Sequence, residues 1–133
     1  FSLYIMETVC GLGVNNGHDA LGNREKYIQS HFARPAAERS WPGDPFMSLV
    51  LYQQLREEFG WEPFKRVFAE YRALPRDEQP RSQQDRRDMW LVRMSEATGR
   101  DLGPFFAAWG MPLTEAARAK TAHLPAWMPE GLE

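Results

Sequence analysis

Apolar positions along this chain recur at the spacing of helices, and the clearest stretch runs from residue 44 to residue 71, DPFMSLVLYQQLREEFGWEPFKRVFAEY. Asp44 suits a helix N-cap, and Pro45 suits the first helical position, where a missing N–H costs nothing. Met47, Leu51 and Leu55 then follow one another every four residues, with Val50 and Phe59 widening the stripe. Gly60 supplies the residue that turns left-handed past a helix end. Pro63 restarts the chain, and Phe64, Val67, Phe68, Tyr71 and Leu74 form a second apolar face while Lys65, Arg66, Glu70 and Arg72 stay in water. The pattern predicts an antiparallel helical hairpin with its break at Gly60-Trp61. Two helices cannot hide that much apolar surface from each other, so the rest of the chain is expected to pack around them.

Before the hairpin, Phe1 to about Cys10 reads as a helix with Leu3, Tyr4, Met6 and Cys10 on one side and Phe1, Ile5 and Val9 on an adjacent strip. A helix apolar nearly all round is expected to be buried on several sides, with Cys10 an inert buried thiol. Gly11, Gly13 and the NNGHD segment break it. Asn23 is placed to cap a short helix through Phe32, carrying Tyr27, Ile28 and Phe32, and Pro35 opens the loop ARPAAERSWPG. After the hairpin, PRDEQPRSQQD is a polar surface loop. A strong helix from about Gln83 to Thr98 turns Trp90, Leu91, Met94 and Ala97 inward and closes on Gly99. Asp101 is expected to cap a short helix bearing Phe105, Phe106 and Trp109, closed by Gly110. Thr114 caps an alanine-rich helix to about His123, and LPAWMPEGLE follows as an irregular tail. No stretch alternates as a strand would. The fold class is all-α, an irregular bundle of about six or seven short helices around the hairpin.

A length of 133 residues makes this one domain's worth of chain with room for a core. A net charge of −2, with basic and acidic residues mixed along the sequence, gives no electrostatic argument for nucleic acid or an anionic membrane. The single cysteine excludes an internal disulfide and a cysteine-rich zinc site. No apolar run approaches the roughly 20 residues of a membrane span. The opening segment lacks a basic leader and carries Glu7, unlike a signal peptide. Because it starts at Phe1, in mid-helix and without an initiator methionine, residues 1–133 read as one helical subdomain of a longer protein.

Candidate chemistry is sparse. The three histidines are scattered, and none belongs to the HExxH pattern that sets two imidazoles on one helix face for zinc. A site built from His18, Asp19 and a distant group competes with a loop histidine that only hydrogen-bonds. There is no G-x-S-x-G elbow, and GLGVNNG has no strand before it and its third glycine misplaced for a dinucleotide turn. Most carboxylates lie on polar helix faces. Glu7 is the exception, because it sits among apolar residues and needs a partner. Its reading divides between a structural pair with an arginine such as Arg24 or Arg39 and a cleft-lining group with a shifted pKa. Trp90 and Trp109 fall on apolar faces and read as core. Trp41 and Trp127 lie in irregular segments, where an indole stacks on a sugar, grips a peptide or plugs the edge of the core. From the residues alone this is a helical domain without a self-contained active site.

Three phrases in this order and spacing carry a resemblance: FSLYIMETVCG, then DPFMSLVLYQQLREEFGWEPFKRVFAEYRALP, then PFFAAWGMPLTEAARAKTAHLPAWMP. Together they resemble the C-terminal part of the enhancin-like, mucin-targeting zinc metallopeptidases (peptidase family M, number sixty), and the GWEPF and PFFAAWG phrases are similar in the vertebrate TRP-channel-associated factors. The resemblance spans nearly the whole chain. It implies a parent enzyme whose HExxH histidines and a further glutamate hold zinc, with the glutamate of HExxH as general base on a zinc-bound water. In the family the third ligand comes just before the segment matching FSLYIMETVCG, so the resemblance implies no catalytic residue and no metal ligand in this chain, and zinc in the full-length parent. Glu7 does not match the ligand position. The implied role is a subdomain that supports the zinc helix and lines one wall of the cleft. Its implied partners are the N-terminal catalytic part of the same protein and a peptide or O-glycosylated protein substrate such as a mucin. A secreted or cell-surface location is implied if the parent is a bacterial mucin-targeting peptidase. Asn15, Asn16 and His18 in the loop after the first helix, and Trp41, are the substrate-binding candidates. A non-catalytic interaction module, as in the channel-associated relatives, is the alternative.

Overall fold

Short polar caps and glycines set the helix ends. In the computed structural model, which describes residues 2–13, 19–41 and 45–132, seven helices of at least six residues are present, with one further helical turn and a 3-10 turn. There is no strand among the described residues, only an isolated parallel bridge between Asp101 and Ala126. The all-α expectation therefore holds. The cap proposed for Asp44 lies outside the described residues. The chain divides into two compact units, residues 1–61 and 62–133, at the Gly60-Trp61 break, where Gly60 adopts φ +71°.

The first unit contains α1 (Ser2–Thr8), the turn α2 (Asp19–Gly22), α3 (Arg24–Phe32), a 3-10 turn (Ala36–Glu38) and α4 (Pro45–Phe59). Helix α4 starts on its proline, as expected. Its buried side chains Val50, Leu51 and Leu55 receive cover from α2 and α3, which contribute Leu21 and Ile28. Helix α3 follows Asn23, but the asparagine side chain makes no capping hydrogen bond.

Two expectations for α1 are corrected. None of its residues is buried, and Cys10 is exposed. The helix stops at Thr8, whose hydroxyl turns back to donate to the Tyr4 carbonyl at 2.6 Å. Cys10 falls beyond that end, beside Val9 at 70% exposure. An apolar circumference predicts burial only where other elements cover it, and here Leu3, Tyr4, Ile5 and Met6 are covered only in part.

The second unit contains α5 (Glu62–Ala73), α6 (Gln83–Thr98), α7 (Gly103–Ala108) and α8 (Glu115–Thr121), with α6 packed against both α5 and α8. Phe64, Val67, Leu91, Met94, Leu102, Phe105, Phe106, Trp109, Met111 and Ala117 form its core, and Trp109 is completely enclosed. Helix α6 keeps the predicted bounds. Ser82 and Asp85 form a reciprocal capping box at its start, and Gly99 turns left-handed at its end. Thr114 caps α8, accepting from the Ala117 N–H at 3.2 Å.

Three details of this unit depart from expectation. Phe68 is 51% exposed, because α5 is covered along Phe64 and Val67 only. Trp90 is half-buried beside the rings of Phe64, Phe68 and Tyr71, at centroid separations of 6.0–6.4 Å. The N-cap of α7 is Leu102, one residue after Asp101. The Asp101 carboxylate instead accepts from the Gly103 N–H at 2.9 Å and the Thr121 hydroxyl at 2.7 Å. Its backbone pairs with Pro125 and Trp127, which ties the irregular tail to α7 and sets Trp127 against Phe105.

Candidate functional site

Glu7 stands in a cluster that joins distant parts of the first unit through charge. Arg56, one turn before the end of α4, donates to its Oε1 at 2.6 Å. The indole Nε1–H of Trp61 donates to Oε2. The edge of Tyr4 meets the Trp61 ring at 5.6 Å and 82°, and the Arg56 guanidinium lies 6.0 Å from that ring. The structural-pair reading of Glu7 is thus correct in kind, but its arginine is Arg56. Arg24 is engaged by Glu57, and Arg39 donates to the carbonyls of Phe32 and Arg34 while lying over the Phe32 ring. Sequence separation hid the true partner, since Arg56 is 49 residues from Glu7.

Of the substrate-binding candidates, Asn15, Asn16 and His18 lie outside the described residues. Trp41 is half-buried in its loop. Among the described residues no three or more His, Cys, Asp or Glu side chains come together as a metal site. His31 is buried against the Phe32 ring, and His123 is exposed just past α8. The described residues therefore offer no ligand set of that kind for a metal ion.

Polar side chains of the second unit do structural work. Glu70 takes Arg66 at 3.0 Å and Arg93 at 2.7 Å, and the hydrogen bond from Arg66, then that from Arg93, holds its carboxyl below the usual range. Hydrogen bonds from Ser82 and its neighbouring backbone do the same for Asp85. A groove beside α6 and α8 is lined by Asp85, Asp88, Met89, Val92 and Lys120. Asp85 is spent on the capping box, and Asp88 accepts from the Thr114 N–H at 3.1 Å and hydroxyl at 2.8 Å. In the first unit, burial pushes the Tyr52 phenol above its ordinary range.

The profile of the family described as Peptidase M60, enhancin and enhancin-like matches residues 1–110. TRPM8 channel-associated factor 2 of Homo sapiens is 37% identical over 129 residues, covering 96% of this chain. TRPM8 channel-associated factor 3 of Mus musculus is 36% identical over 129 residues with the same cover, and factor 1 of Homo sapiens is 33% identical over 127 residues, covering 94%. The chain spans only 14%, 14% and 13% of the lengths of these three relatives. No solved structure matches.

Proposed function

Because the chain belongs to the peptidase M60, enhancin and enhancin-like family, we propose that it is the helical C-terminal subdomain of a zinc-dependent metallopeptidase that acts on proteins or glycoproteins such as mucins. In this reading the subdomain supports the catalytic helix and lines the substrate cleft. The catalytic residues and the zinc ligands belong to other parts of the parent. The observation that carries the reading is the family match through residues 1–110 of a chain whose sequence holds no HExxH. The half-covered apolar helix α1 supports it, since a subdomain docked on a larger protein needs an apolar surface of its own. Asn15, Asn16, His18 and Trp41 remain the proposed substrate contacts.

A second reading is favoured by the relatives themselves. Proteins named as channel-associated factors match nearly all of this chain at 33–37% identity, which supports a non-catalytic module that contacts another protein. The parent protein separates the two. On the first reading it retains one zinc per molecule and hydrolyses an O-glycosylated mucin-like peptide, and removal of residues 1–133 abolishes cleavage. A parent that neither holds zinc nor cleaves the peptide would overturn the first reading in favour of the second.

A further inference from the structure

We propose that Glu7 is the positioning residue of α1: one carboxylate, shared between the Arg56 guanidinium and the Trp61 indole N–H, fixes where this helix lies at the end of α4. None of the side chains of α1 is buried. Partial apolar cover attracts a helix without fixing its rotation or register, because the hydrophobic effect is non-directional. Charge-assisted hydrogen bonds do fix direction. The two donors come from opposite sides of Gly60: Arg56 from the last turn of α4, Trp61 from the residue just after the glycine. One carboxylate oxygen meets each donor, so the helix is oriented at two points. Tyr4, one turn before Glu7, adds its edge to the same indole. The Arg56 and Glu7 side chains are 20% and 34% exposed, so water competes only in part for the pair. Glutamine would preserve the size of Glu7 but offer one acceptor oxygen and an NH2 to two donors, leaving one of them facing another donor. The latch belongs to the first unit alone and does not depend on the activity of the parent.

Cys10, the single cysteine, is exposed and lies two residues beyond α1, which makes it a native attachment point for a nitroxide spin label. In the native chain the label is expected to be restrained. Glu7→Gln is expected to speed its rotation severalfold while the thermal melt stays close to native. Trp61→Phe, which keeps a ring and removes the N–H, is expected to give an intermediate mobility. The exchange Glu7→Arg with Arg56→Glu is expected to be less mobile than Glu7→Arg alone, a rescue that only a direct pair produces. Equal label mobility in the native chain and Glu7→Gln would overturn the proposal. So would a Glu7→Gln melt lowered as far as that of Leu51→Ala, because α1 would then belong to the core, or a reversed pair no less mobile than Glu7→Arg.

Discussion

The two compact units are built from the same kind of element and held together differently. The second closes on itself. Its aromatic residues Phe105, Phe106 and Trp109 are fully buried, its helices α6 and α8 carry side-chain caps, and its tail is tied to Asp101 by backbone hydrogen bonds. The first has a smaller aliphatic centre around Val50, Leu51 and Leu55, and its outer helix α1 is attached through a carboxylate. Stability and availability are therefore divided unevenly: the second unit encloses its aromatic cluster while exposing Phe68, whereas the first leaves Val9, Leu12 and Phe46 in solvent. The relatives matched here are several times longer than this chain, and on the proposed reading the less self-sufficient unit is the one that would meet other parts of the parent.

The sharpest way to break this contrast is at Trp109. Truncation to alanine removes a completely enclosed indole, and a loss of about 3–5 kcal/mol is expected in chemical denaturation. An unchanged midpoint would mean that the aromatic cluster is not the core of the second unit. A smaller effect is expected at Asp88. Replacement by alanine leaves the Thr114 N–H and hydroxyl without their acceptor at the start of α8, at a cost of about 1–3 kcal/mol for the donors left unsatisfied. Restoration by asparagine, which keeps one acceptor, would sharpen the assignment to hydrogen bonding.

Glu70 supplies a pH test. Its carboxyl titrates below its ordinary value because Arg66, and then Arg93, bonds to the charged form. The sign follows from linkage: a depressed native pKa contributes stability that is present above the unfolded-state pKa and disappears as pH falls through the native one. Glu70→Gln is therefore expected to be less stable than the native chain near neutrality and to converge with it in acid. Parallel denaturation curves from neutral pH to below the carboxylate range would contradict that. The smallest effect is expected at Phe68. With half its surface already in water, Phe68→Ala should lower stability by about 1 kcal/mol or less, since little apolar area leaves the interior. A loss matching that at Trp109 would show that the outer face of α5 is more deeply packed than this account holds.

Legibility in the sequence followed the range of the interaction. The C-terminal end of α6 was readable because Gly99 acts within a turn of itself, whereas the capping box of Ser82 and Asp85 at its start, equally local, was missed. The start of α4 at Pro45 and the cap at Thr114 were readable for the same reason. Asp101 was assigned to the wrong cap position because a short acidic side chain can reach the N–H two residues on as readily as it can start a helix, and here it takes Gly103. The burial of Cys10 and α1 was misjudged because periodicity reports which faces are apolar, not which faces find cover. The pairing of Glu7 was legible as a need and not as an identity. Its charge demanded a cation, but only the fold decides that Arg56, and not Arg24 or Arg39, is within reach. The family phrases were readable because glycines and tryptophans punctuate the helices at fixed separations, and the match through residues 1–110 agrees with them.

The central claim is that this chain contributes helices and no metal ligand to a larger hydrolase, and zinc analysis of the purified 133-residue chain after exhaustive dialysis tests it most directly. The account predicts far less than one zinc per chain, while the parent measured alongside retains one. Equimolar zinc held by the chain itself, lost on replacement of His18, would contradict it.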